Sequence, residues 1–271
     1  MVLLVHGMDK ELGFKRVWDK RARTKSVEEV VFGPFLVRKY SMELDVGIFA
    51  FVEYLLYVSA GDLILDVGCG PLARSETYFA QKGLEIVGVD VSVASLLKAR
   101  ENVADHIANH VHFVLADAES LPFREGSFDR VLAMGLLSHL PNKHSVVTSL
   151  RDIQRCLKEN GVCYLNWLLN LYSFFGPFMA LTNKIGNFGK KERVQILTFR
   201  GLKEIRCLLQ RAGLKISKTV YGPVMLFVYY PSPTIVKRGI EKLFSVADEF
   251  RERHPTRAFL PYSFDVFARK G

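Results

Sequence analysis

The stretch Leu63-Ile64-Leu65-Asp66-Val67-Gly68-Cys69-Gly70-Pro71 constrains this chain more than any other. Its apolar residues, interrupted by one acid, read as a short strand covered on both faces, as in the interior of a parallel sheet. Gly68 and Gly70 then carry the chain through a turn where, without β-carbons, backbone amides stay open to a ligand. A helix from Ala73 to Lys82 with Gly83 as its stop follows. A second apolar run, Ile86-Val87-Gly88-Val89, ends on Asp90, 20 residues beyond Gly70. An acid at that distance from a glycine turn typically accepts hydrogen bonds from a ribose diol. The glycine pair alone is weak; strand, turn, helix, strand and acid in this order are specific.

The rest of the chain continues the alternation. Glu43 to Val58 carries Leu44, Ile48, Val52, Leu55 and Leu56 at helical spacing, and Ala60-Gly61-Asp62 turns it into the first strand. Ser92 caps a second helix to Ala108. Strands are predicted over Val111–Leu115, Phe128–Met134 and Gly161–Leu165, with a helix through Leu150–Leu157 stopping near Asn160-Gly161. Thr198 caps a helix to Ala212, closed by Gly213, and Leu214–Tyr221 and Tyr262–Arg269 are the last strands. Ser232-Pro233 starts a helix with Val236, Ile240, Leu243, Ala247 and Phe250 on one face.

Taken with Leu115-Ala116-Asp117-Ala118, Leu121-Pro122-Phe123, Ser127-Phe128-Asp129-Arg130-Val131 and Gly161-Val162-Cys163-Tyr164-Leu165, these motifs resemble the class I S-adenosylmethionine-dependent methyltransferases. The resemblance extends to about Gly213. It departs at Leu72, where many relatives carry a third glycine. It implies an α/β fold: a doubly wound, mostly parallel seven-stranded sheet of order 3-2-1-4-5-7-6 with helical cap insertions. Residues 1–60 are then an N-terminal helical and basic segment covering the cofactor, and 61–271 the Rossmann-like domain, with insertions at about 166–199 and 222–260. Trp18 or Tyr40 would do the covering, or else pack into the core.

The implied cofactor is S-adenosylmethionine. By resemblance, Gly68 and Gly70 approach its methionine end, Asp66 supports that turn, Asp90 takes the ribose hydroxyls, and Asp117 with the Ala118 backbone meets the adenine. Met134, counted with the cofactor contacts, opens a segment to Leu140 that faces the acceptor. His139 is the titratable side chain there, and a histidine can take a proton near neutral pH. It can equally cap the next helix or satisfy a loop carbonyl. His144 lies further from the strand end. Asp129 is expected to fix the loop before the fourth strand.

Charge is unevenly distributed. Residues 1–40 carry 9 Lys+Arg against 5 Asp+Glu, residues 41–160 carry 10 against 16, and residues 161–271 carry 18 against 7. An acidic centre between basic flanks points to an anionic partner, or to no more than solvated lysines. The preferred acceptor on this reading is a structured RNA base, rRNA or tRNA, stacked on Trp167, Tyr172 or Phe175 of the aromatic insertion. The alternative is an apolar small molecule, a quinone or lipid precursor, in a pocket lined by the same insertion. A cofactor-binding pseudoenzyme is a third reading, and a nucleotide dehydrogenase a weaker fourth. The segment after the fourth strand lacks the Asn/Asp-Pro-Pro-aromatic motif of amino-directed nucleic-acid methyltransferases. Cys69, Cys156, Cys163 and Cys207 form no CxxC pair, which implies neither a zinc site nor a disulfide framework. A cytoplasmic location and no transmembrane segment are expected, since the longest apolar run, Leu165 to Leu181, is broken by Asn, Gly and Pro.

Overall fold

The computed structural model describes residues 2–4, 16, 19–20, 22–23, 49–50, 52–169, 197–221 and 263–271. The side chains of 2–4, 167, 169, 221, 263 and 264 lie outside that description. Strand β1 spans Val2–Leu4, β2 Leu63–Val67, β3 Glu85–Asp90, β4 Val111–Leu115, β5 Phe128–Ala133, β6 Leu157–Leu169, β7 Leu214–Tyr221 and β8 Ser263–Lys270. Helices α1 (Arg74–Ala80), α2 (Val93–Asn102), α3 (Lys143–Cys156) and α4 (Gly201–Arg211) lie between them, and 52–56 is helical.

β2 lies inside the sheet, parallel to β3 on one side and β5 on the other. Its side chains alternate between two apolar layers. Leu65 and Val67 join Val131, Leu150, Ile153 and Ile205 on the face of α3 and α4. Ile64 joins Ile86, Phe113, Phe79, Leu96 and Leu56 on the face of α1 and α2. Burial on both faces is why these strands read as unbroken apolar runs.

The strand order is β1-β4-β3-β2-β5-β6-β8-β7. Numbered from β2, seven of these strands form the sheet 3-2-1-4-5-7-6, with β8 antiparallel to both neighbours. The sequence gives no strand before residue 60, yet Val2–Leu4 adds an eighth by pairing in parallel with β4. Only tertiary placement beside an open edge makes a strand of three residues.

Boundaries differ from expectation at three helices. α3 runs straight into β6 without a break at Asn160-Gly161, because Leu157 already pairs with Phe128 before the ladder shifts to Arg130↔Val162. Thr198 does not cap α4: Arg200 is the cap residue, and the Glu204 carboxylate accepts its amide at 2.6 Å. Ser92 does cap α2, accepting from the Ser95 amide at 3.1 Å. That helix ends at Asn102, and a separate 3-10 turn covers Asp105–His110. The aromatics Trp18, Phe32, Phe35, Tyr40, Tyr172 and Phe175 and the helix expected after Ser232 lie outside the described residues; Trp167 is described by its backbone alone.

Insertion of β8 between β6 and β7 buries Phe267 to 1%, its ring 4.8 Å from that of Tyr164. Phe267→Ala is expected to cost about 3–5 kcal/mol in urea unfolding, as for other buried aromatics cut to alanine.

Candidate functional site

Asp66, Asp90, Asp117 and Met134 sit at or just beyond the carboxyl ends of β2, β3, β4 and β5. That edge is where open α/β sheets bind ligands. The amides of Gly68 and Cys69 both donate to the Val89 carbonyl, at 2.7 and 3.0 Å, folding the turn onto the end of β3. Gly68 and Gly70 have φ of 80° and 65°, a left-handed conformation that glycine adopts without strain. A β-carbon on Gly68 would lie 3.1 Å from Leu136, whereas one on Gly70 would meet nothing within 4 Å. Among the described residues the turn is therefore closed at Gly68 and open at Gly70. The next left-handed residue is Ala73 (φ 50°), not Leu72, and it directly precedes α1.

Asp90 joins the two halves of the site. Its carboxylate accepts the Gly70 amide at 3.0 Å on one oxygen and the Ser92 amide at 2.8 Å on the other. Each oxygen keeps lone-pair capacity for a hydroxyl donor. The residue retains some surface, but its carboxyl group is enclosed; burial pushes it up to about 6 against the pull of those amides, and Asp19 adds a smaller upward push. Asp19 comes from the N-terminal segment and accepts from the Ala94 amide (2.9 Å) and the Ser92 hydroxyl (3.1 Å). Burial would raise its own carboxyl, but these partners and Arg23 hold it below the usual range.

Asp66 is 3% exposed and contacts the Ser75 hydroxyl through one oxygen; the other has no partner among the described residues. Burial, opposed by Ser75, pushes it up to about 7. Beside it lies a residue that sequence reading passed over: Glu76, wholly buried. The signal was present, since Glu76 occupies the apolar stripe of α1 with Ala73, Phe79 and Ala80.

Asp117 accepts the Glu119 amide at 3.0 Å and so shapes the loop after β4, beside buried Ala118. After β5 come half-buried Met134 and Leu136, then a 3-10 turn over Leu137–His139. His139 is half-buried in that turn, its amide donating to the Leu136 carbonyl at 2.8 Å. His144 lies in the first turn of α3, which Asn142 caps. Asn166 was also missed: 5% exposed on β6, it accepts the Gly135 amide at 2.7 Å and fixes the segment after β5. Asp129 accepts the Leu63 amide and pairs with Lys158 at 2.8 Å, so it ties β5 to β2 and β6 instead of fixing the loop before β5 as expected. Among the described residues no group of three His, Cys, Asp or Glu is placed to hold a metal, and no helix is long and apolar enough to cross a membrane.

A family model described as "Methyltransferase domain" matches residues 65–165, the span that holds β2 to β6 and the site. An uncharacterized methyltransferase of Synechocystis sp. is 30% identical over 168 residues, 59% of this chain and 70% of the relative. The 27-O-demethylrifamycin SV methyltransferase of Amycolatopsis mediterranei is 29% identical over 168 residues, 59% of this chain and 57% of the relative. Ubiquinone biosynthesis and tocopherol O-methyltransferases also match, over shorter spans. Against two of the curated relatives this chain spans 37% and 57% of their length. The crystal structure of the [4+2]-cyclase SpnF superposes with a TM-score of 0.62 at 17% identity, covering 95% of this chain and 96% of that one, a likeness of fold.

The raised carboxyls of Asp66 and Asp90 set a pH dependence. Between the ordinary carboxyl value of about 4 and the raised values of about 6 and 7, the folded state binds more protons than the unfolded. Their contribution is therefore fully present below about pH 4 and is lost as pH rises through 6 to 7. Ligand-free protein is expected to lose stability over that interval, by up to about 1.4 kcal/mol per pH unit per group. Asp66→Asn should flatten the upper part of the urea-midpoint profile; an unchanged slope would remove the Asp66 assignment.

Proposed function

The chain belongs to the S-adenosylmethionine-dependent methyltransferases, and from that premise we propose that it methylates an oxygen of a small, largely apolar molecule. The cofactor, when bound, supplies a methyl group already activated on a sulfonium. The observation carrying the cofactor assignment is the Asp90 carboxylate fixed against the Gly70 amide, with no described residue within 4 Å of a β-carbon built on that glycine. Asp90 would take the ribose hydroxyls, Gly68 and Gly70 the methionine backbone, and Asp66 the turn behind them. Asp117 and Ala118 would meet the adenine, with Met134 beside it. The residues fit such a group: the enclosed carboxylates would accept from a diol and an ammonium, and glycine at 70 leaves the turn without a side chain there.

Little covalent help is needed from the chain. Its work is to align acceptor and methyl carbon, and positioning of this kind supplies up to about 7–11 kcal/mol. Asn166 holds Gly135, and Leu136 packs on Gly68, so the wall facing the acceptor is tied to the floor under the cofactor. His139 would take or steady the proton of the acceptor hydroxyl. The N-terminal segment, 1–60, would close over the ribose through Asp19, with the insertions at 166–199 and 222–260 as a cap.

Support for the acceptor class is the half-buried apolar pair after β5, Met134 and Leu136, and relatives named for a rifamycin, ubiquinone and tocopherol. The charge of residues 161–271 favours the second reading, a structured RNA gripped by basic flanks. A cytoplasmic location accompanies either reading: Cys69, Cys156, Cys163 and Cys207 are free thiols.

Incubation with methyl-labelled cofactor and, separately, a small-molecule lipid extract and total RNA is expected to label the extract. Label in RNA alone would install the second reading, and label in neither with cofactor bound would make the chain a pseudoenzyme. Asp90→Ala should weaken cofactor binding at least about tenfold, the size of a lost charge-assisted hydrogen bond. His139→Gln is expected to lower kcat about 10²-fold with cofactor affinity unchanged; an unaltered kcat would leave His139 as scaffold.

A further inference from the structure

Glu76 is buried to 0% in the first turn of α1, and one of its oxygens has no hydrogen-bond partner among the described residues. Its other oxygen lies 3.1 Å from the Ser75 hydroxyl, and that same hydroxyl contacts Asp66. One hydroxyl carries one proton, so it can donate to only one carboxylate; toward the other it can only accept. Two ionised carboxylates cannot share it in an apolar interior, because their repulsion is unscreened there. Enclosure assigns the proton: Glu76 is 0% exposed against 3% for Asp66 and is packed against Gly88, so it keeps its proton and Ser75 donates to Asp66. The Glu76–Ser75 contact is satisfied only if Glu76 is the protonated member.

We propose that Glu76 is a positioning residue, a neutral acid that donates to Ser75 so that Ser75 turns its own proton onto Asp66 and orients that carboxylate for the methionine end of the cofactor. This rests on the reading of Asp66 given above. The groups facing Glu76 agree with it. Asp66, Cys69 and Asp90 surround the carboxyl, and burial first, then the Asp66 charge, raises it well above the ordinary carboxyl range. Gly88 on β3 is part of the device: a β-carbon there would stand 2.6 Å from the Glu76 carboxyl oxygen and 3.1 Å from Cys69 Sγ. The glycine in the middle of a buried strand is thus the space into which the acid fits.

The test is calorimetric titration of S-adenosylmethionine into the full chain and its variants at about pH 7, with infrared spectra of the same samples. Glu76→Gln keeps a donor toward Ser75 and is expected to bind within about threefold of the wild type. Glu76→Met keeps the volume without the donor and is expected to bind about tenfold more weakly, with an unchanged or raised Tm because a buried polar group is gone. Ser75→Ala should weaken binding as much, and the double variant no more than either single, as for residues acting in one chain. The protonated-carboxyl C=O band, to which Asp66 also contributes near its raised value of about 7, should lose its Glu76 component in Glu76→Gln. Wild-type affinity in Glu76→Met, equal loss in Glu76→Gln and Glu76→Met, or a band unchanged in Glu76→Gln would each overturn the proposal. Asp66→Asn separates the levels: wild-type affinity there removes the reading of Asp66 and the proposal with it. Loss in Asp66→Asn with none in Glu76→Met removes the role of Glu76 alone.

Discussion

The hydrogen bond from the Gly70 amide to the Asp90 carboxylate is the contact on which the site depends. It joins the turn after β2 to the end of β3, and it exists because those strands pair in parallel with Asp66 opposite Gly88 and Val67 opposite Val89. That register brings the Val89 carbonyl to the Gly68 and Cys69 amides and the next residue, Asp90, to Gly70. A slip of one residue would turn Asp90 to the other face of the sheet. The two faces of apolar packing around Ile64, Leu65 and Val67 hold that register, and so the core fixes the chemistry at the strand ends.

Acids are gathered at this edge against the usual preference for keeping them in water. Asp66, Glu76 and Asp90 are enclosed and raised, whereas Asp129, Glu53 and Glu85, which burial also pushes upward, are drawn below the ordinary range by basic or amide partners. The second group ties segments together at the surface of the fold: Asp129 with Lys158, Glu53 with Lys82, Glu85 with His110. The first group has no basic partner among the described residues and is concentrated at the glycine turn. Stability is given up there, which is the ordinary condition of a binding site.

Much of the site was legible because its signals are local. Gly68, Gly70, Asp66 and Asp90 are read from a strand, a turn and a fixed interval, and the Ser92 cap from one residue type beside a helix. Glu76 and Asn166 were not read: Glu76 stands on the buried stripe of α1 but belongs to no motif, Asn166 has no local signal, and the importance of both comes from what lies across the fold. Glu76 needed Gly88 from the next strand to make room for it. Asn166 needed the loop after β5 to bring the Gly135 amide within reach. Val2–Leu4 became a strand for the same reason: three residues have no preference strong enough to outweigh an available sheet edge.

What the sequence determined by itself was the alternation of buried strands and amphipathic helices, the glycine turn and the acid that answers it, because periodicity and turn chemistry act over a few neighbouring residues. What the tertiary structure decided was the protonation and partnership of the acids, and the tie between the acceptor-side loop and the turn through Leu136 and Gly68. Those depend on dielectric surroundings and on distances between residues far apart in the chain, and only packing sets either.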